Sequence, residues 1–337
     1  MSNESSEVSA PVAADSELRL IACIGGKKLE RDFPSADISE YIKDPATTVW
    51  VDICNPGPAE EQLLSEEFEF HPLAVEDACK GDQRPKIEEY AGYLFIVAYT
   101  LPLQSDELDL TPLEVHAFIG PNYVVTVHRG PVPPLDEAYR RWVRGGAMLG
   151  AGVGFLSYTV FDTMVDAFFP TIDRLSDVVD ERQQDIFDHP EQNFVPDILK
   201  IKRGIVELRR VLAPMRDVFA MLLRHDMSLF APESRIYFQN VYDHVTRQLE
   251  NLEVLQELAQ GALEAYMTVL SNRLNATMQT LTVYTIGLAF LGAVFGAWGM
   301  NVEVPFANEK NAFWIIVSFV LTVILAGLGW ARYRRWL

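Results

Sequence analysis

The sequence predicts an α/β domain, then a long helical stalk, then two C-terminal membrane-spanning helices. Three observations carry this. Apolar or alternating runs of strand length recur between residues 18 and 130 with helical segments among them. Apolar residues then recur at steps of three and four, and no proline occurs between Pro232 and Pro305. Two stretches without any charge close the chain, Leu274–Val302 and Asn311–Ala331.

The composition carries a tension. The 337 residues include 28 Lys+Arg against 47 Asp+Glu, a formal net charge of −19, yet 49% are hydrophobic. So acidic a chain lacks the clustered basic residues that nucleic acid requires. So apolar a chain is not a disordered acidic protein. Three Cys with no CxxC pair exclude a disulfide scaffold and a zinc site of the usual spacing. Charge and apolar residues are segregated. Residues 278–337 carry a net of +2, which leaves −21 on the other 277.

In chain order, residues 1–16 are acidic and lack an apolar h-region, so they read as a disordered tail, not a signal peptide. Residues 17–150 are the cytosolic α/β domain, with strands expected at Leu18–Ile24, Thr48–Ile53, Tyr93–Tyr99, Val115–Ile119 and Tyr123–His128. Helical segments fit Pro58–Glu66 and Pro72–Ala78. Pro131–Pro134 punctuates the end of this unit, and the Gly-rich stretch Gly145–Gly154 follows. It has no G-x-G-x-x-G or GK[ST] and follows a basic helix-like segment instead of a strand, so it reads as a flexible linker.

The stalk covers 151–277. One helix is expected from Phe155 to Phe187, stopping at Pro190, and another from Pro196 to His225, with Pro214 as a place to bend. The third carries Phe238, Val241, Val245, Leu249, Leu252, Leu255, Ala259, Ala262, Tyr266 and Val269 along one seam. It runs on into the first span, a rod of about 100 Å.

The first membrane helix is 278–300 and the second 312–331, joined by an extracytoplasmic loop 301–311 and followed by a basic cytoplasmic tail 332–337. Arg273, Arg332, Arg334 and Arg335 put both termini in the cytoplasm by the positive-inside rule, while Trp298, Trp314, Trp330 and Trp336 suit the interfaces.

Two helices cannot enclose an aqueous pore, so the chain is either anchored by them or builds a pore from several copies. Asn275, Met278, Thr282, Thr285, Ala289, Gly292 and Gly296 share one face of the first span. That small or polar stripe suits a narrow pore lining and equally a small-residue helix contact.

The first span ends in Gly299-Met300-Asn301, followed by Glu303 and Pro305. With this tripeptide between two C-terminal spans, the tail resembles the CorA family of magnesium and cobalt transporters. The segments His71–Asp77 (HPLAVED), Gln83–Glu88 (QRPKIE), Tyr93–Val97 (YLFIV), Tyr237–His244 (YFQNVYDH) and Ser271–Met278 (SNRLNATM) are similar as well, and the resemblance covers residues 18–337. The usual Tyr before the signature is Trp298 here.

The resemblance implies a funnel-shaped homopentamer in the cell (inner) membrane, with five first spans lining the pore. It implies a selectivity filter at Gly299, Met300, Asn301 and Glu303. The Asn301 carboxamides and Gly299 carbonyls would face the water shell of hydrated Mg2+, an ion that dehydrates reluctantly. Glu303 would raise the local cation concentration. Lower down, the resemblance implies a polar ring at Asn275 and a hydrophobic gate at Met278 and Leu281, with Thr285 beside them. It further implies a regulatory Mg2+ site at Glu76 and Asp77. Where the best-studied members have an Asp across the interface, this chain has Asn240, which lowers the charge there. Asp162, Asp166, Asp173, Asp177 and Asp180 are candidate substitutes, or else a solvated face.

The six His residues show no metal spacing within a helix; His225 and His244 look isolated, and His71 opens a helix. Cys23, Cys54 and Cys79 read as reduced, partly buried thiols. No nucleophile–base arrangement stands out, so no enzyme is expected. The reading is a channel for Mg2+, with Co2+ or Ni2+ as further cargo and no cofactor otherwise. Its alternatives are a ZntB-like Zn2+ transporter coupled to protons, and a membrane-anchored cation sensor that does not conduct.

Overall fold

Alternating apolar residues between positions 17 and 128 form seven strands with helices between them. In the computed structural model, which describes residues 16–102, 110–189, 191–224, 229–230, 232–300 and 311–333, these are β1 (Glu17–Ile24), β2 (Lys28–Arg31), α1 (Ile38–Lys43), β3 (Thr47–Cys54), α2 (Pro58–Glu66), α3 (Pro72–Lys80), β4 (Lys86–Tyr90), β5 (Tyr93–Thr100), β6 (Leu113–Ile119) and β7 (Tyr123–His128). The sheet order is β2-β1-β3-β7-β6-β5-β4. The β3–β7 pairing is parallel, with Cys54 opposite His128, and the other five are antiparallel.

Both faces of the sheet are covered, so its central strands are apolar on both sides. Val49, Val51, Phe95, Phe118 and Val125 lie in one core with Ile38, Leu64 and Val75 from α1, α2 and α3. Trp50, Ile96, Ala117 and Val124 lie in the other. That second core is filled by α4 (Pro133–Val143), α5 (Gly152–Asp166), α6 (Phe168–Asp188), α7 (Val195–Arg224) and α8 (Arg235–Trp298), with Trp142, Phe161 and Phe219 fully buried.

Several expectations change. β2 and β4 were not foreseen; both are short, polar edge strands held by pairing with β1 and β5, not by burial. The expected single helix from Phe155 breaks at Ala167 into α5 and α6. Pro170 in the first turn of α6 cannot donate back to the Asp166 carbonyl, so it tolerates the start of a helix and not its middle. Pro190, the expected stop, lies outside the described residues. The Gly-rich stretch is not a free linker. Gly146–Ala151 forms a 3-10 turn, Leu149 is buried, and α5 begins at Gly152. A Cβ on Gly26 would come within 2.7 Å of the Gly150 Cα, so the β1–β2 turn and this stretch approach backbone to backbone.

α7 continues through Pro214. The seam of α8 is buried from Phe238 to Ala262 as its periodicity requires. Although α5 is apolar, twelve of its fifteen residues are buried, which makes it a core helix.

The chain packs as two units, one of residues 1–181 and 195–260 and the other of 182–194 and 261–337. The second contains the apolar end of α8 and α9 (Ala312–Tyr333). Leu281, Leu288, Phe295, Phe319 and Leu325 are all more than half exposed in the single chain. Such a surface is stable only against lipid or other protein.

Candidate cation sites

The segment HPLAVED begins α3. His71 caps it: its Nδ1 accepts the Leu73 N–H at 3.2 Å, and Pro72 takes the first helical position. Glu76 and Asp77 follow in the next turn, and both are already paired. Lys80 donates to Glu76, an i,i+4 pair. Lys86 Nζ lies 2.7 Å from Asp77 Oδ2 and 2.7 Å from Glu88 Oε1. The same ammonium sits 5.4 Å from the centre of the Phe95 ring. A divalent ion at Asp77 would have to displace Lys86.

A different group of donors converges between α5 and α8. Asp162 is 2% exposed and Asp166 lies one turn further along α5. From α8, His244 Nδ1 approaches Asp166 Oδ1 at 2.9 Å and Asp162 Oδ1 at 3.7 Å. Asn240, one turn before it, donates from Nδ2 to Asp162 Oδ1 at 3.1 Å. Arg141 of α4 donates to Asp162 Oδ2 at 2.5 Å. Burial first, and the Asp162 charge second, push the Asp166 carboxyl above its usual range, against the pull of His244. Asp162, Asp166 and His244 offer three ligand atoms within 4.8 Å of one another. Two carboxylates and an imidazole, one carboxylate almost fully desolvated, are a donor set that a divalent cation fits.

One expectation is therefore corrected: His244 is not isolated. Asn240, in the single chain, pairs with α5. The signal was available: Asp162 and Asp166, and Asn240 and His244, are each one helical turn apart and so share a face. That the two faces meet was not readable.

At the other end of α8, Met278 and Leu281 are 65% and 64% exposed in the single chain, and Asn275 and Thr285 are exposed too. The Thr282 and Thr285 hydroxyls donate to the carbonyls of Met278 and Leu281, each at 2.8 Å. Their lone pairs stay free to accept from water. The helix ends at Trp298. Gly299 N–H bonds to the Phe295 carbonyl at 3.0 Å and Met300 is exposed. Asn301 and Glu303, the remaining filter candidates, lie outside the described residues, as do tail residues 1–15, loop residues 301–310, His225, Arg334, Arg335 and Trp336.

The chain resembles known proteins along most of its length. The model of the CorA-like Mg2+ transporter protein family matches residues 45–333. A putative metal ion transporter of Bacillus subtilis, YfjQ, is 30% identical over 288 residues, which cover 85% of this chain and 89% of that protein. The cobalt/magnesium transport protein CorA of Thermotoga maritima is 26% identical, covering 91% of this chain and 89% of its own. The solved CorA magnesium transporter of Methanocaldococcus jannaschii superposes with a TM-score of 0.80 at 18% identity, over 94% of this chain and 98% of that one. The chain belongs to the CorA family of divalent-cation transporters, membrane proteins whose common work is transport and not catalysis.

Proposed function

We propose that this chain forms a homo-oligomer, a pentamer, in the cell inner membrane with both termini cytoplasmic, and conducts hydrated Mg2+ inward. Residues 17–150 and 151–277 are its cytosolic domain and stalk, 278–300 lines the pore, 301–311 is the outer loop, 312–331 surrounds the pore, and 332–337 is the basic cytoplasmic tail. One observation carries the reading. A single helix, Arg235–Trp298, holds Asn240 and His244 near its start and runs uncharged from Leu274 to the Gly299-Met300-Asn301 signature. A change at the first end therefore acts on the element that would line the pore.

In this reading Asn301, Gly299 and Met300 hold the ion's water shell at the outer mouth, and Glu303 draws cations to it. Asn275 and Thr285 supply polar rings, while Met278 and Leu281 close the bore by dewetting. Cytosolic Mg2+ feeds back through the Asp162 and Asp166 carboxylates, with Glu76 and Asp77 as the site the family pattern suggests. Zn2+ transport is the second reading; in it the same cluster would sense Zn2+ with His244 as a further ligand, because imidazole suits Zn2+ better than Mg2+.

The test is flux into vesicles reconstituted with the full chain, comparing Mg2+ and Zn2+ at several pH values. Mg2+ flux that Asn301→Ala abolishes is expected. Zn2+ flux without Mg2+ flux would overturn the Mg2+ assignment. Flux unchanged by Asn301→Ala would remove the role of the filter and favour a non-conducting sensor.

A further inference from the structure

Outside both candidate sites, a cleft of about 810 Å3 opens at the carboxyl ends of the parallel neighbours β3 and β7. Arg19, Asp52, Cys54, His128, Leu135 and Asp136 line it. We propose that Asp52 and His128 form a binding site in this cleft for a borderline divalent cation of the Zn2+, Co2+ or Ni2+ type. The proposal is independent of which ion crosses the membrane.

The imidazole is oriented first. His128 is 5% exposed, and its Nδ1 lies 2.7 Å from the Gly130 carbonyl oxygen. A carbonyl only accepts, so Nδ1 carries a proton, and Nε2 presents a lone pair whenever no second proton sits on it; burial disfavours that second proton, and the Asp52 carboxylate favours it more. That Nε2 is buried and has no hydrogen-bond partner among the described residues. It faces Asp52 Oδ1 at 3.3 Å without the alignment of a hydrogen bond. Two ligands about 2.05 Å from a tetrahedral ion lie about 3.3 Å apart, so the pair already has the spacing of neighbouring ligands.

The carboxylate is fixed as well. Asp52 Oδ1 accepts from Thr126 Oγ1 at 2.5 Å, and Thr126 Oγ1 accepts from Trp50 Nε1 at 3.0 Å. A ligating imidazole that gives its other N–H to a backbone carbonyl, beside a carboxylate held by a hydroxyl, is the usual support of a metal site.

The donor set decides the class of ion. Mg2+ prefers an octahedron of oxygens, whereas an imidazole beside a carboxylate suits Zn2+, Co2+ and Ni2+. Water from the cleft would complete the shell. The charges that face the pair are accounted for. Arg19 comes within 3.9 Å of Asp52 but is committed to Asp136 at 2.8 Å, while Glu17 and Asp32 keep the rim negative. A proton on Nε2 would make a buried ion pair with Asp52 instead, so proton and metal exclude each other.

The test uses the full chain in detergent with Co2+ as the probe, in a His244→Gln background that disables the α5–α8 cluster. One equivalent of Co2+ with visible ligand-field bands is expected there. Adding His128→Gln should remove that equivalent and its bands. An identical Co2+ titration with and without His128 would overturn the proposal. Should the His128 variant misfold, Asp52→Asn takes its place, and crystals of the unaltered chain grown with Zn2+ decide. An anomalous peak between His128 Nε2 and Asp52 supports the site; bound zinc elsewhere with no peak there overturns it.

Discussion

Gln248 lies in the seam of α8 between Val245 and Leu252 and is 0% exposed. Neither its Nε2 nor its Oε1 has a partner among the described residues. Each unsatisfied buried group costs about 1–3 kcal/mol of desolvation. A leucine would fill nearly the same space with no polar atom. Part of the gain is offset if a buried water already bridges the amide. The expected net effect of Gln248→Leu is therefore a stabilisation of about 1–3 kcal/mol. At about 2–4 °C per kcal/mol for a domain of some 200 residues, the midpoint should rise by about 2–12 °C. Thermal unfolding of the full chain in detergent, followed by tryptophan fluorescence, measures it, with Gln248→Glu as the opposite control. A Leu variant that melts several degrees lower would show that the amide is satisfied, and the reasoning would fail. Flux through the Leu variant, measured alongside, shows whether the amide serves transport.

Two further outcomes follow from the α/β domain. Glu114 accepts the Asp82 and Gln83 N–H groups at 2.7 and 2.9 Å, and His116 Nε2 lies 3.0 Å away. Burial alone would raise its pKa, but His116 and the two backbone donors outweigh it and hold the carboxyl below its ordinary value of 4.5. The unfolded chain thus binds the proton more readily, so this stability is full above 4.5 and lost as pH falls through the lower folded value. Glu114→Gln should cost about 1–3 kcal/mol at neutral pH, and the gap to the unaltered chain should narrow in acid melts. Asp77→Lys should change how current depends on cytosolic Mg2+ more than it changes ion selectivity, because it removes one of the two carboxylates that hold Lys86 and leaves the signature untouched. An unaltered Mg2+ dependence in single-vesicle flux would exclude Asp77 from feedback.

What the sequence determined by itself was whatever depends on neighbours along the chain. β7 and α2 fall on the residues expected for them, Tyr123–His128 and Pro58–Glu66. The α8 seam and the uncharged ends follow from spacing alone, since a helix turns every 3.6 residues whatever surrounds it. The −19 average resolved in the same way, into an acidic body and a basic membrane end. The edge strands β2 and β4 were invisible because their stability comes from a partner strand. The donor groups were invisible for a stronger reason. His244 and Asp166 stand 78 residues apart, and nothing local in either helix says that the two faces touch. Asp52 and His128 likewise meet only because β3 and β7 pair in parallel, which sets Cys54 opposite His128 and brings the ring beside the carboxylate. Such meetings are decided by the packing of the sheet and the helices that cover it. Packing is a property of the whole core, and only the tertiary structure holds it.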